Sequence, residues 1–144
     1  CALQILYELE FDSNKVDEKI RQFWREKKAS EEIREYSRWL VKGVFSRLQE
    51  IDEAIQSTSE HWRISRMTLV DRNILRLAAF ELLAADTLAP AIVINEAIEI
   101  AKKYSGPEAA VFVNGILDAL RKKIRADKVS AGEVPDVRKR QKKN

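Results

Sequence analysis

Residues 68–86 read TLVDRNILRLAAFELLAAD, and the reading of this stretch decides the fold. Turned at 100° per residue, its apolar side chains cover most of a helix circumference and leave only a polar strip around Arg72 and Arg76. A helix apolar on so many sides is a central one. Thr68 with Asp71 resembles a capping box, Asp standing where Glu or Gln is usual, and marks the start. Glu81 breaks the pattern, because its direction falls between those of Val70 and Ile74 on the apolar side. An unpaired, buried, ionised carboxylate is costly. Glu81 must therefore reach a donor within the fold, water at a groove, or another molecule.

Helical signals continue on both sides. Downstream, Pro90 suits the first turn of a helix that carries Ile94, Ala97, Ile98 and Ala101 on one face. SGP at 105–107 ends that helix and starts the last one, since Gly favours the C-terminal stop and Pro the N-terminal start. The last helix has two arcs: Phe112, Val113, Ile116, Leu117, Leu120 and Ile124 on the buried side, and Asn114, Asp118, Arg121 and Lys122 on the other. Gly115 lies at the border. A glycine inside a helix costs about 1 kcal/mol relative to alanine, which predicts close packing there, with a notch for a partner as the alternative.

Upstream, ALQILYELE at 2–10 has the pattern of a helix, DSN at 12–14 is a turn and cap signal, and Ile20, Phe23 and Trp24 mark a second, shorter helix. From the N-cap candidate Ser30, apolar residues recur at 33, 36, 40, 44, 48, 51 and 55, one stripe predicting a single helix of about seven turns. STSEHWRIS at 57–65 interrupts the pattern and joins two halves, about 1–62 and 63–126, of one domain. Residues 127–144 read as a basic, disordered tail.

Composition bounds the function. A chain of 144 residues with four Gly, three Pro and 34% charged side chains is a soluble helical domain with room for a real core. No apolar run approaches the roughly 20 residues that span a bilayer, so no membrane partner is expected and the protein reads as cytoplasmic. One cysteine and one histidine, His61, cannot build a Cys/His metal cluster. The glycines stand apart, no hydrolase, zinc-protease or CxxC motif is present, and the carboxylate pairs sit at the spacing of solvated helix faces, so the chain reads as a non-enzyme without a cofactor. Residues 121–144 hold ten Lys or Arg against three acids, a pattern that fits a solvated end or a sequence-blind clamp on nucleic-acid phosphates.

Four segments go further. ALQILYELE at 2–10, LVDRNILRLAAFELL at 69–83, PAIVINEAIEIAKKYSG at 90–106 and FVNGILDAL at 112–120 together resemble the NusB family of bacterial transcription antitermination factors. The resemblance runs in order across most of residues 1–124, while 11–65 match mainly as a helical pattern. It implies an all-α bundle of two packed subdomains with no catalytic activity. Its members pair with NusE, a ribosomal small-subunit protein, and bind single-stranded boxA RNA of ribosomal RNA operons. With other Nus factors the pair helps RNA polymerase read through terminators.

Carried over position by position, the resemblance assigns Tyr7 to both the RNA and NusE surfaces and Glu81 to NusE. Asp118 matches a position where substitution alters RNA binding. Gln4, Arg121 and Lys122 join the RNA candidates and Arg76 the NusE candidates, while Asn95, Asn114 and Gly115 are expected to be structural. An acid at Asp118 cannot attract phosphate, so it would restrain RNA affinity unless it accepts from a base or sugar. Two features depart from the family: the sequence starts at Cys1 without the usual arginine-rich segment, so that either the segment was lost from this chain or RNA affinity is reduced, and the basic tail is longer than the family core requires. Two alternatives remain. One is the NusB-like RNA-binding module of ribosomal RNA methyltransferases, whose motif runs closer to FVNAVLR. The other is a protein-only helical adaptor that forms a homodimer.

Overall fold

A computed structural model describes residues 2–9, 16–26, 29–59, 63–84 and 89–130. The elements run α1 (Ala2–Leu9), α2 (Val16–Glu26), α3 (Glu31–Ser46), α4 (Leu48–Thr58), a short 3-10 turn (Ile64–Arg66), α5 (Leu69–Ala84), α6 (Pro90–Tyr104) and α7 (Pro107–Ser130). No strand occurs among the described residues, and the fold is all-α. No helix among them is long and apolar enough to cross a membrane.

The central position predicted for 68–86 is occupied by α5, which packs on α1, α3, α4, α6 and α7. Ile74, Leu75, Leu77, Ala78, Ala79 and Phe80 are all buried, and Leu75 and Ala79 are fully enclosed. Surrounding it are Ile5 of α1, Val41 and Val44 of α3, Ile51 and Ile55 of α4, and Val113 and Leu117 of α7. Fully burying each such side chain contributes about 1.5–3 kcal/mol, so this one layer dominates stability.

The local signals act as their chemistry requires. Ser30 Oγ accepts from the Ile33 amide at 3.3 Å, and Thr68 Oγ1 accepts from the Asp71 amide at 3.2 Å. Asp71 Oδ1 has no hydrogen-bond partner among the described residues, so the reciprocal leg of a capping box is not supplied by that atom. Pro90 opens α6. Gly106, at φ 104°, closes it by donating its amide to Ala101 O at 2.9 Å. That φ is left-handed, which glycine adopts without steric penalty.

The long stripe from Ile33 to Ile55 is two helices, not one. The helix breaks at Arg47, whose φ and ψ are −122° and 25°. Both the Ser46 hydroxyl and the Arg47 amide converge on the Gly43 carbonyl, at 3.1 and 3.2 Å, and the Arg47 guanidinium is held by both oxygens of Glu50. A break of one residue leaves the apolar spacing in step, so periodicity does not reveal it. Its effect is spatial: α3 packs on α1 and α5, while α4 packs on α5 and α7.

Close backbone packing, expected at Gly115, is found instead at Gly43. A Cβ at position 43 would overlap the Cζ edge of the Phe80 ring. At Gly115 a Cβ would meet nothing within 4 Å, and the residue is exposed. The turn signal at 12–14 and His61 lie outside the described residues, as do residues 131–144 of the expected tail; residues 127–130 continue α7 as helix.

Candidate functional site

The apolar stripe of α3 is buried only from Ser37 onward. Ile33 and Tyr36, two turns and one turn before Leu40 on the same stripe, are 49% and 41% exposed, so the core does not cover them. They form one wall of a groove of about 500 Å³ between α1, α3, α5 and α6, whose other walls include Leu77, Ile92 and Ile100. Two carboxylates line it, Glu81 of α5 and Glu96 of α6.

Glu81 is half-buried, and Tyr36 is its partner. The Tyr36 hydroxyl donates to Glu81 Oε2 at 2.7 Å. Burial raises the Glu81 carboxyl above its ordinary pKa; the Tyr36 hydrogen bond opposes that, and the charge of Glu96 adds to it. The Tyr36 phenol is raised well above its usual range, by burial first and then by the same carboxylate. The site is thus an apolar trough with one anchored and one exposed carboxylate. Among the described residues no cation forms an ion pair with Glu81. Tyr36 also stacks toward Trp39, with centroids 5.6 Å apart, and Trp39 toward Phe80 at 4.8 Å, so this aromatic ladder ends at Gly43.

Arg76, expected to face a partner, is a strut within the fold. Its guanidinium forms a bidentate pair with Asp52 of α4 at 2.8 and 2.9 Å and donates to Asn73 Oδ1 at 3.3 Å. Only 11% of its side chain is exposed, which leaves little for a second protein to contact. Asn95, Asn114 and Gly115, expected to be structural, are all exposed. No hydrogen bond joins Asn95 or Asn114 side chains to other described residues. Asn95 instead lines a shallow groove with Ile92, Glu96, Glu99 and Lys103.

On α7, Val111, Asn114, Gly115, Asp118 and Lys122 share one outward stripe, and Val111 is 75% exposed. Asp118 pairs along the helix with Arg121 at 3.6 Å and with Lys122 at 3.1 Å. The acid thereby occupies both nearby cations. Gln4 is exposed on α1; Tyr7 lies on the same helix, and its side chain is outside the described residues. The structure does not gather these residues into one cluster: Glu81 belongs to the α3–α5–α6 groove and Asp118 to the outer face of α7.

Sequence reasoning missed Tyr36 and Glu96. Tyr36 had a signal, a hydroxyl at a stripe position where a carboxylate on another helix needed a donor. Glu96 had none, since its pairing with Glu99 reads as a solvated face.

Comparison with known proteins agrees with this architecture. The profile described as the NusB family matches residues 1–122. The transcription antitermination protein NusB of Anaeromyxobacter dehalogenans is 44% identical over 118 residues, covering 81% of this chain and 82% of its own. That of Sorangium cellulosum is 41% identical over 120 residues, covering 83% and 86%. Among solved structures, T. maritima NusB superposes with a TM-score of 0.77 at 34% identity, covering 84% of this chain and 85% of its own. A crystal structure of the antitermination factors NusB and NusE in complex with dsRNA gives 0.76 at 31% identity, covering 85% and 91%. With the α5-centred helical body shared at this level and the profile spanning nearly all of the described helices, the chain belongs to the NusB family of transcription antitermination proteins.

Proposed function

We propose that this chain is a transcription antitermination factor, a regulator and not an enzyme, that acts in the cytoplasm on RNA polymerase through other Nus factors. It binds NusE, and with NusE it binds the single-stranded boxA element of ribosomal RNA operons. The observation that carries the reading is the Glu81–Tyr36 pair in the apolar groove. A carboxylate held at the edge of apolar surface, raised in pKa and without a paired cation among the described residues, gains most from a basic side chain presented by a partner. The likeness to a NusB solved in complex with NusE and dsRNA supports the choice of partner. Asp118 then restrains the RNA contribution of Arg121 and Lys122, because those cations already have a counter-charge.

The test is fluorescence-anisotropy binding of labelled boxA RNA, with and without purified NusE, against a scrambled strand and a duplex at near-physiological salt. Preference for single-stranded boxA that tightens with NusE is the expected result. Equal, weak binding to all three RNAs, together with a dimeric elution volume, would replace the reading with a protein-only adaptor.

A further inference from the structure

The second flank of α3 carries the opposite charge. Arg34 and Arg38 of α3 face Arg21, Trp24 and Arg25 of α2 across a groove of about 840 Å³. The pairs 21 and 25, and 34 and 38, are each four residues apart, so each helix presents two guanidinium groups one turn apart along the groove. All four arginines are exposed. Two carboxylates share the site. Asp17 is taken by Lys42 at 2.8 Å, with Arg38 more distant at 3.9 Å, and Glu35 forms no ion pair with a described residue. Arg25 and Arg34 form no ion pair with a described residue, and Arg21 meets Asp17 only as a more distant charge, weaker than Lys42 and Arg38.

Trp24 adds a second kind of chemistry. Its ring meets the buried Phe23 edge-on at 5.0 Å, which anchors it to the core, and the Arg34 guanidinium lies over it at 5.6 Å. Its indole N–H is buried and has no hydrogen-bond partner among the described residues, a deficit that an acceptor on a bound ligand would remove. Guanidinium groups bind phosphate through two parallel hydrogen bonds. Cationic grooves with an aromatic wall are how single strands are held without reading their sequence. An acidic peptide would satisfy the arginines and the indole N–H but would not use the face of the ring, on which a base stacks.

We propose that the α2–α3 groove is a second contact for single-stranded RNA, with phosphates on Arg21, Arg25, Arg34 and Arg38 and a base against Trp24. This rests on the RNA-binding reading above and extends it to a surface on the far side of α3 from Glu81. It places the flanking strand, not the specifying element, in this groove, because arginine contacts to phosphate position a strand without reading it.

The experiment uses the full chain with NusE and a boxA RNA extended by about ten nucleotides, a length within the range of one single-strand groove, titrated over salt. The variants are Arg21→Gln/Arg25→Gln and Arg34→Gln/Arg38→Gln, whose exposed positions leave the fold intact by circular dichroism. Each pair is expected to weaken binding roughly tenfold at low salt and to flatten the log–log salt slope by about 1.4, or about 0.7 per phosphate. Arg21→Lys/Arg25→Lys should keep the slope. RNA should quench part of the tryptophan fluorescence of the wild type, and Trp24→Phe should remove that part.

If the wild type binds no RNA, the functional reading fails and the groove fails with it. Where the wild type binds but both glutamine pairs match its affinity and slope, the groove alone is overturned. Polyglutamate that depends on these arginines more strongly than RNA does would overturn it in favour of an acidic protein partner.

Discussion

Two grooves flank α3, and they differ in almost every respect that matters for recognition. Toward α5 and α6 the wall is Ile33 and Tyr36, the surroundings are apolar, and the charges are the carboxylates of Glu81 and Glu96. Toward α2 the wall is Arg34 and Arg38, and two more arginines stand opposite. One 16-residue helix therefore faces two environments of opposite sign. The apolar flank uses core physics left incomplete: a stripe that should have been covered ends two turns early. The cationic flank uses long, solvated side chains and leaves the core untouched. Damage to the apolar packing of the first should therefore register in both stability and partner binding, and damage to the second in RNA affinity alone.

The strongest way to break this contrast is Gly43→Ala. A methyl group overlapping the Cζ edge of Phe80 forces that ring to move, and overpacking of this kind costs about 1–3 kcal/mol. Thermal unfolding should shift down by several degrees. Through Phe80, Trp39 and Tyr36 the variant should also weaken NusE binding, whereas a wild-type Tm would refute the close approach. Arg76→Ala comes next, because it leaves Asp52 without its bidentate partner; about 1–3 kcal/mol of stability should be lost by denaturant titration. NusE affinity should stay unchanged, and a selective loss of it would restore Arg76 to the interface.

Glu81→Gln separates binding from stability. NusE affinity should fall roughly tenfold or more, as expected when one side of a desolvated charge pair is removed. The pH profile sharpens the point. A carboxyl with a raised folded pKa keeps its proton in the free protein when an unfolded chain would release it. Its contribution to stability is thus complete below the ordinary value of 4.5 and is lost as pH rises through the raised folded value. NusE affinity should run the other way, rising over that window as the ionised form appears. Calorimetry in buffers of different ionisation enthalpy should detect proton release on binding at the low end. Glu81→Gln should abolish both trends without lowering stability at pH 7.

The smaller effects lie on α7. Asp118→Asn frees Arg121 and Lys122 from their counter-charge, so RNA should bind several-fold more tightly and with a steeper salt slope at unchanged Tm. Binding that weakens would instead assign Asp118 a direct hydrogen bond to the RNA. Gly115→Ala enters open space on an exposed helix face and should add up to about 1 kcal/mol of stability, measured by denaturant titration. A loss of partner affinity in the same variant would mark Gly115 as a notch in an interface.

How legible each feature was depended on its range. The α5 stretch announced its central place because an apolar circumference has one physical solution, and Ser30, Pro90 and Gly106 announced their helix ends because caps are local chemistry. Gly115 misled for the same reason: a helical glycine signals close approach, but the sequence does not say what approaches, and here nothing does. Gly43 and Phe80 lie on different helices, so their contact had no local trace. Glu81 was legible as a problem, and its answer, Tyr36, sat 45 residues away. The arginines at 21, 25, 34 and 38 belong to two helices whose facing could only be seen once both were placed.

The joint at Arg47 has a consequence of scale. An unbroken helix over 31–58 would hold 28 residues and run about 42 Å at 1.5 Å per residue, well beyond the roughly 30 Å diameter of a small domain. Its far end would project into solvent, with nothing to lie against. Turning the chain at one residue shortens the first rod to about 24 Å, no longer than the body that it divides. Both grooves therefore open along their full length on a single small particle, within reach of the same strand and the same partner.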